Sequence, residues 1–425
     1  MENNNSTLLV FRDDAYIKYL ILDKKDQKMH DLFWLGFMIY TVAFAVSQTT
    51  MVNWILCQAF QLLGLGMILA GAFSQLRFTF DSLSFKHLYV LYMAWLAFVV
   101  VRGLATDYDG VKAMLFDASF GLFPYFVPLI VLFPRNLLFY KRLFDVIFIF
   151  GLAFLALSAV FVKQIIITDN ENLISKGIVE VFTRTMGMTT GFILLSFVYH
   201  TKKRNLLSIF ILFVIMLMAI YKGRRGLLIM SALPLLVSYF FYLFESKAKI
   251  LVVLISVLVG GVLLVYGMSF LEKSSLFNTL KDRGLEDTRS SVEACFYDDM
   301  TFKDWLIGRG MRGEYYCPGI DIGSGSKYRY VIETDYLQIM LKGGIISFGL
   351  LLLITIPAAF LGLFRSKNLL SKAAGAWIIL ALINMYPSTV NTFSINYLIV
   401  WIAVGIGYSK AIRDLPEAVL KKYFC

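Results

Sequence analysis

The run KGRRG at residues 222–226 lies between two apolar segments, 205–221 and 227–244, and it decides how the chain folds. As one helix the two segments would be roughly 60 Å long, because an α-helix rises about 1.5 Å per residue. The hydrocarbon core of a bilayer is only about 30 Å thick. The chain therefore has to turn back at the run, which predicts a tight hairpin with three positive charges at its tip.

Composition places this hairpin in a membrane protein. Of the 425 residues, 59% are hydrophobic and 16% are charged, and the mean hydropathy is +0.71. Such values are typical of a polytopic membrane protein. Apolar stretches of spanning length lie at 32–51, 54–73, 87–104, 113–133, 143–163, 178–199, 205–221, 227–244, 249–271, 335–363, 373–391 and 393–409. We therefore predict an all-α fold, a polytopic membrane bundle of about twelve transmembrane helices with one large external loop.

The basic residues predict which side of the membrane each loop occupies. Short loops rich in lysine and arginine stay in the cytoplasm. Two predicted spans separate each loop of this kind from the next, so all of them lie on one side. They are at 12–28, 77–86, 135–142, 202–204, 247–249, 365–372 and 410–422. Both termini are then cytoplasmic, whereas Lys222, Arg224 and Arg225 lie outside, and cations held against the rule usually have a function. The net charge of +11 follows mainly from this pattern, so we expect no nucleic-acid partner.

We divide the chain into five parts by hydropathy. These are a cytoplasmic arm (1–31), helices one to nine (32–271), an external cap loop (272–334), helices ten to twelve (335–409) and a cytoplasmic tail (410–425). The arm is too long and too mixed in charge for the n-region of a signal peptide, so we expect no cleavage. The cap loop has 63 residues that mix charges, glycines and aromatics. An insertion of this length and composition predicts a folded cap rather than a linker.

Cysteine and histidine usage bears on redox state and metal binding. Cys295 and Cys317 both lie in the cap loop, where a disulfide requires an oxidising compartment. Their spacing leaves open whether they are joined. There is no Cys-x-x-Cys motif, and His30, His87 and His200 all fall at predicted cytoplasmic margins. We therefore expect neither a metal site nor a cofactor.

Arg184 lies inside the sixth predicted span, four residues after Glu180. Residues at this spacing share a helix face, so the two side chains are expected to pair. Ionisable groups in spans usually face polar pathways, which favours an anion ligand. The alternative is a structural arginine that reaches up to the membrane surface.

The hairpin arginines, Arg224 and Arg225, suit the same chemistry. A guanidinium is planar, stays charged at any relevant pH and matches the geometry of a phosphate. This favours a site for a substrate pyrophosphate. Two arginines at a membrane surface also attract lipid head groups without specificity, and that is the alternative.

Two further charged clusters lie in and after the cap loop. The first contains Asp282-Arg283, Arg289, Gly308-Arg309-Gly310 and Arg312, where exposed glycines mostly serve turns. The second, Glu333-Thr334-Asp335, precedes a long apolar span. Thr334 or Asp335 would suit a helix N-cap, and a carboxylate from Glu333 or Asp335 would equally suit a general base that accepts the proton of a sugar hydroxyl.

The order of these motifs resembles that of the O-antigen polymerase and ligase superfamily. The resemblance covers about residues 178–365. It rests on Arg184-x-x-Gly187, the GRRG hairpin tip, Arg289, the glycines at 308 and 310, and the sequence ETDYLQ at 333–338 with glycines after it. Members of the superfamily have many spans and a large periplasmic loop in the C-terminal half, within the metal-independent C-type glycosyltransferase fold class.

The resemblance implies a site and a substrate. Arg184 and Arg225 would hold the pyrophosphate of a lipid-linked sugar donor, with Arg224 and Arg289 as further candidates. The cap would shape a periplasmic cavity for the acceptor. The implied partner is an undecaprenyl-pyrophosphate-linked oligosaccharide in the bacterial inner membrane. Membrane lipids, a chain-length regulator and a flippase are the other partners that we consider.

We therefore expect a polymerase of lipid-linked repeat units, of the kind that serves lipopolysaccharide or capsule biosynthesis. Ligases of the superfamily usually have a histidine in an His-Asn-x-x-Leu context, where this chain has Glu333-Thr334-Asp335-Tyr336-Leu337. That difference favours a polymerase over a ligase that transfers glycan to a lipid-A core or a protein. A flippase or transporter for lipid-linked oligosaccharides is the rival from another class, but transporters tend to show paired halves and broken helices near the midplane.

Overall fold

The computed structural model describes residues 24–49, 51–166, 173–245, 288–318 and 327–424, which are mostly helical. The first helices are α1 (Lys24–Ser47), α2 (Trp54–Gln75), α3 (Leu83–Val101), α4 (Tyr108–Phe116), α5 (Leu137–Val160), α6 (Val162–Ile166), α7 (Leu173–Phe182), α8 (Thr190–Leu195), α9 (Lys202–Tyr221) and α10 (Arg225–Glu245). The later helices are α11 (Thr288–Asp299), α12 (Phe302–Ile307), α13 (Asp335–Phe364), α14 (Leu369–Asn384), α15 (Ile395–Tyr408), α16 (Lys410–Asp414) and α17 (Glu417–Phe424). Shorter elements are 3₁₀ helices at Phe123–Leu132 and Phe197–Tyr199, a π-helix at Thr183–Gly187, and strands β1 (Tyr315–Tyr316) and β2 (Tyr328–Arg329).

Eight helices in the described part of the chain are long and apolar enough to cross a membrane. They are Asp26–Ser47, Trp54–Gln75, Leu83–Val101, Leu137–Val160, Ile174–Leu195, Lys202–Tyr221, Arg225–Phe244 and Asp335–Phe364. Three shorter apolar helices, Phe123–Leu132, Leu369–Asn384 and Ile395–Tyr408, fall where further spans are predicted. The stretch predicted at 249–271 lies outside the described residues. The chain is thus a helical membrane protein.

The stretch predicted as a span at 113–133 is not one continuous helix. Helix α4 ends at Phe116, and a 3₁₀ helix begins at Phe123. The Asp117 carboxylate accepts hydrogen bonds from the backbone amides of Ser119 and Phe120, which stabilises a turn in place of the helix. Pro124 and Pro128 then lack the amide hydrogens that an α-helix needs. Hydropathy alone does not register these interruptions.

The predicted hairpin at 222–226 is confirmed. Helix α9 ends at Tyr221 and α10 begins at Arg225, so the reversal takes only the residues between them. Gly223 has φ of 63°, a left-handed conformation that glycine adopts without steric cost. The arginines therefore lie at the tip of a short turn between two spanning helices.

Ion pairs stabilise the basic loops on one face of the bundle. Arg77 pairs with Asp26 at 3.0 Å, and its backbone amide donates to Leu132 O. Further pairs on this face are Arg135–Asp81, Arg142–Asp31, Arg204–Asp145 and Lys367–Asp414. Loops that the sequence assigns to one side therefore meet in the structure. The hairpin and the cap lie at the opposite ends of the helices.

The cap, described at residues 288–318 and 327–334, forms a small hydrophobic core together with the start of α13. Cys295 and Cys317 form a disulfide whose Cα atoms are 5.2 Å apart, which answers the question that their spacing left open. Strands β1 and β2 pair antiparallel, with Tyr315 opposite Arg329. The core is formed by Phe296, Met300, Tyr315, Cys317, Ile332, Leu337 and Leu341. It includes residues of α13, so the cap is packed directly on the membrane bundle.

The cap docks where α13 is interrupted at Gly344. This residue has φ of 69°, and an added Cβ would overlap the carbonyl of Leu306 at the end of α12. Arg309 N donates to Leu341 O at 2.7 Å, and Gly310 N donates to Lys342 O at 2.9 Å. Peptide groups left open by the interrupted helix are thus satisfied by the cap.

A recessed loop, residues 385–394, joins the two short helices α14 and α15. These helices have 16 and 14 residues, fewer than the roughly 20 that span a bilayer. The Phe393 ring packs against Phe37, Tyr40 and Phe123 at centroid distances of 5.3, 5.1 and 5.3 Å. The loop therefore reaches down among the helices of the bundle, below the cap.

Candidate functional site

Arg184 occupies a π-helical turn, Thr183–Gly187, between α7 and α8. The backbone amide of Met188 donates to Thr183 O at 3.0 Å, which inserts one extra residue into the turn. Such turns often mark functional sites. Arg184 Nη2 pairs with Glu180 Oε1, so the pairing predicted from their spacing is confirmed.

Glu180 also binds the hairpin. Its second oxygen, Oε2, lies 3.3 Å from Arg224 Nη2, so one carboxylate bridges two arginines from distant parts of the sequence. The Nε atoms of Arg184 and Arg224 are buried and have no hydrogen-bond partner among the described residues. Arg225 follows Arg224 as the first residue of α10 and is exposed.

Arg289 of the cap contacts Glu333 and the recessed loop. Its Nε lies 3.1 Å from Glu333 Oε2, and its Nη2 donates to Pro387 O at 2.9 Å. The same Pro387 carbonyl would lie 2.7 Å from a Cβ added to Gly226. Hairpin, recessed loop and cap therefore meet at one carbonyl group, and Arg289 lies on the same side of the bundle as Arg224 and Arg225.

The N-cap prediction for Thr334 and Asp335 is confirmed for the position of Thr334 and wrong for the side-chain hydrogen bonds. Thr334 stands at the N-cap position, but its hydroxyl donates to Glu293 Oε1 at 2.5 Å. Asp335 Oδ2 accepts from the amides of Val390 and Asn391 at 3.0 and 2.9 Å. The buried carboxylate thus finds its amide donors in the recessed loop rather than in the first turn of its own helix. Asp335 holds that loop against α13.

The sequence-predicted residues form one charged group. Electrostatic interactions connect Arg184 with Arg224, Glu333 and Asp335. Arg289 joins the group through Glu333. The group then contains three arginines and three carboxylates, which are Arg184, Arg224, Arg289, Glu180, Glu333 and Asp335. Arg225 follows Arg224 in the sequence. Guanidinium groups match the geometry of a phosphate, so the arginines of this group suit an anionic ligand.

Two small cavities lie on either side of the recessed loop. One of about 40 Å³ is bounded by Arg184, Asn384 and Asn396. The other, of about 30 Å³, is bounded by Asp335, Lys342 and Asn391. A water molecule needs about 10–15 Å³ of such space, so each cavity has room for a few water molecules.

The arginines of the GRG segment have a structural role instead. Arg309 pairs with Asp299 and Asp304 at 2.5 and 2.9 Å, and Arg312 pairs with Asp107 at 3.1 Å. Burial raises the pKa of Asp304, but hydrogen bonds from Arg309 and Thr301 outweigh it and hold that pKa below its ordinary value. Gly308 and Gly310 have positive φ, as expected for turn glycines. Asp282 and Arg283 lie outside the described residues.

Sequence reasoning missed several residues that shape the site. Lys342 is buried in α13, where its ammonium donates to the carbonyls of Gly313 and Tyr330 at 2.8 and 2.9 Å. A lysine within an apolar span is itself a sequence signal of a functional site, because ionisable residues are costly there. Pro387 and Asn391 of the recessed loop carry no motif, because only the tertiary fold brings their backbone atoms to Arg289 and Asp335.

No group of three or more histidine, cysteine, aspartate or glutamate side chains is placed to hold a metal ion in the part of the chain that the structure describes. Comparison with protein-family models, with curated proteins and with solved structures finds no match to this chain.

Proposed function

We propose that the chain is a metal-independent glycosyltransferase that polymerises lipid-linked oligosaccharide repeat units. It moves the growing glycan from undecaprenyl pyrophosphate onto the next lipid-linked repeat. The observation that carries the proposal is the cluster of Arg184, Glu180 and Arg224, which joins a π-helical turn to the hairpin tip. It lies beside the Arg289–Glu333 pair, so guanidinium groups and carboxylates share one side of the bundle.

The proposed location is the bacterial inner membrane, with about twelve spans, cytoplasmic termini and the cap in the periplasm. Two observations support this orientation. The basic loops share one face, as cytoplasmic loops do. The cap on the opposite face contains the Cys295–Cys317 disulfide, and such bonds persist in oxidising compartments.

The arginines would stabilise the leaving group. As the glycosidic bond breaks, negative charge grows on the lipid pyrophosphate. Fixed guanidinium groups in a poorly solvated site stabilise such charge without reorganising during the reaction. Arg184 and Arg225 are the principal candidates, and Arg224 and Arg289 lie close enough to contribute. A single displacement opposite the pyrophosphate inverts the configuration at the anomeric carbon.

A carboxylate would activate the acceptor. The acceptor hydroxyl gives its proton to the carboxylate as its oxygen attacks the anomeric carbon, and the bond from that carbon to the pyrophosphate oxygen breaks. Glu333 is 64% exposed and is therefore accessible to an acceptor. Asp335 is buried, with Oδ2 bonded to the recessed loop and Oδ1 without a hydrogen bond to the described residues. Both remain candidates for the base.

A transporter of lipid-linked oligosaccharides is the second candidate, because helices are interrupted within the bundle. Interruptions occur at Thr183–Gly187, between Phe116 and Phe123, and at Gly344. Broken helices are typical of transporter sites. The interruption at Gly344, however, is satisfied by the docked cap, which favours a fixed external site over an alternating one.

Profiling of lipid-linked glycans in the host separates these functions. Deletion of a polymerase removes long chains, while single repeats still reach their final acceptor. Deletion of a ligase leaves long chains on the lipid carrier. Deletion of a transporter traps single repeats on the cytoplasmic side, and that outcome would contradict the proposal.

A further inference from the structure

We propose that Glu180 is a built-in counter-ion that occupies the place of the substrate diphosphate while the site is empty. It would hold Arg184 and Arg224 together and leave when a diphosphate group binds between them. This inference rests on the proposed function, because it concerns the same anion site. It adds a role for Glu180 and names the ligand chemistry as a diphosphate.

The bridging geometry supports an exchangeable anion. Each oxygen of Glu180 faces a different arginine, Oε1 towards Arg184 and Oε2 towards Arg224 at 3.3 Å. Neighbouring oxygens of a diphosphate can address two guanidinium groups in the same way. The side chains of Glu180 and Arg224 are 24% and 33% exposed, so an incoming ligand reaches this pair from solvent.

The balance of charge and donors favours a more highly charged ligand than a carboxylate. Two arginines, Arg184 and Arg224, share the single charge of Glu180. The Nε–H groups of Arg184 and Arg224 have no acceptor among the described residues. A diphosphate offers more oxygens and more negative charge than one carboxylate, so it can accept from more guanidinium donors at once.

Competition between Glu180 and the diphosphate for the arginines would affect turnover. A carboxylate that competes for the arginines weakens diphosphate binding and speeds release of the lipid pyrophosphate product. Removing its charge should tighten binding. A carboxylate that only positions Arg184 should act in the opposite direction, because its loss would let the arginine move away.

The test uses the purified full-length protein in lipid nanodiscs and inorganic pyrophosphate as the ligand, followed by calorimetry. We expect Glu180→Gln to bind pyrophosphate about tenfold more tightly than wild type, because a nearby like charge is removed. Glu180→Asp should also bind pyrophosphate more tightly than wild type, because the shorter carboxylate cannot bridge both arginines. This variant provides the test if Glu180→Gln fails to fold. Asp107→Asn is the matched control, because it removes the carboxylate partner of Arg312 outside the site.

The outcomes separate this inference from the proposed function. Weaker or unchanged binding in both Glu180 variants, with binding still lost in Arg184→Ala, overturns the counter-ion role and leaves the anion site standing. Pyrophosphate binding that does not depend on Arg184 overturns both. An equal gain in Asp107→Asn also overturns the inference, because it would reflect only the net charge of the protein.

Discussion

At the scale of single residues, the arginines and the Arg184–Glu180 pair were predictable, whereas the partners of Arg224 and Arg289 were not. Arg184 and the hairpin arginines stand out in the sequence because charge in or beside a span is costly. The bridge from Arg184 to Arg224 through Glu180 requires the hairpin to lie against the turn at Thr183–Gly187, and no local sequence pattern predicts that contact. Glu333 was identified beside the site, but its partner Arg289 comes from a distant helix of the cap.

The two carboxylates are expected to respond differently to conversion into amides. If Glu333 is the base, Glu333→Gln should slow turnover by roughly 100- to 10,000-fold while leaving stability almost unchanged. Asp335→Asn should lower the free energy of unfolding by about 1–3 kcal/mol, because a buried carboxylate that accepts two amide hydrogen bonds loses its charge.

Repeat-coupling rates and unfolding midpoints measured on the same purified variants separate these roles. A large loss of turnover in Asp335→Asn at a temperature where it stays folded would assign the base to Asp335. Full activity in both variants would mean that no dedicated carboxylate base is used.

At the scale of elements, local rules predicted the hairpin and failed at the interruptions. The length of the apolar run forces a reversal at 222–226, so that turn follows from the sequence. The turn after Phe116 had local signals in Asp117, Pro124 and Pro128, but the apolar composition outweighed them in the prediction. The break at Gly344 has no local cause, since it exists where α12 of the cap meets α13.

Gly344 should therefore be far more sensitive to substitution than Gly349 in the same helix. Gly344→Ala places a Cβ against Leu306 O and forces a positive φ on alanine, which should cost at least about 1–3 kcal/mol of folding free energy. Gly349→Ala meets no atom within 4 Å and is the matched control. Thermal unfolding in detergent compares the two, and equal midpoints would contradict the docking described here.

The cap should lose stability in acid through Asp304. Its pKa in the folded state lies below the ordinary value of about 3.9 expected for the unfolded chain. The stabilisation is thus fully present above about pH 3.9 and is lost as the pH falls through the folded-state pKa. Unfolding midpoints of wild type and Asp304→Asn should therefore converge in acid, with the exposed Asp298→Asn as control. A constant difference would contradict the role of the Arg309–Asp304 pair.

At the scale of the whole molecule, hydropathy predicted a helical membrane bundle, and charge predicted which loops meet. Hydropathy could not predict that the loop at 385–394 lies within the bundle, because the two short helices beside it have the composition of ordinary apolar segments. Nor could it place the cap, whose attachment uses backbone atoms of Leu341 and Lys342.

The orientation of the bundle can be measured with two exposed lysines. We expect Lys303→Cys, in the cap, to react with a membrane-impermeant thiol reagent in spheroplasts, and Lys203→Cys, on the basic face, to stay unlabelled. The wild-type protein gives the background, and Lys203→Cys should become labelled once the membrane is opened. Reversed labelling would put the arginine cluster in the cytoplasm.

Chain growth in liposomes tests the central claim most directly. The purified protein is supplied with lipid-linked single repeats from its host, and the products are separated by length. We predict multi-repeat glycans with wild type and with Arg312→Ala, whose arginine pairs with Asp107 outside the site. Arg184→Ala and Arg225→Ala should lower the rate by at least about 100-fold, and Arg225→Lys should also be poor because an ammonium does not reproduce the guanidinium fork. Single repeats left unextended by wild type, or normal chains from both alanine variants, would contradict the account.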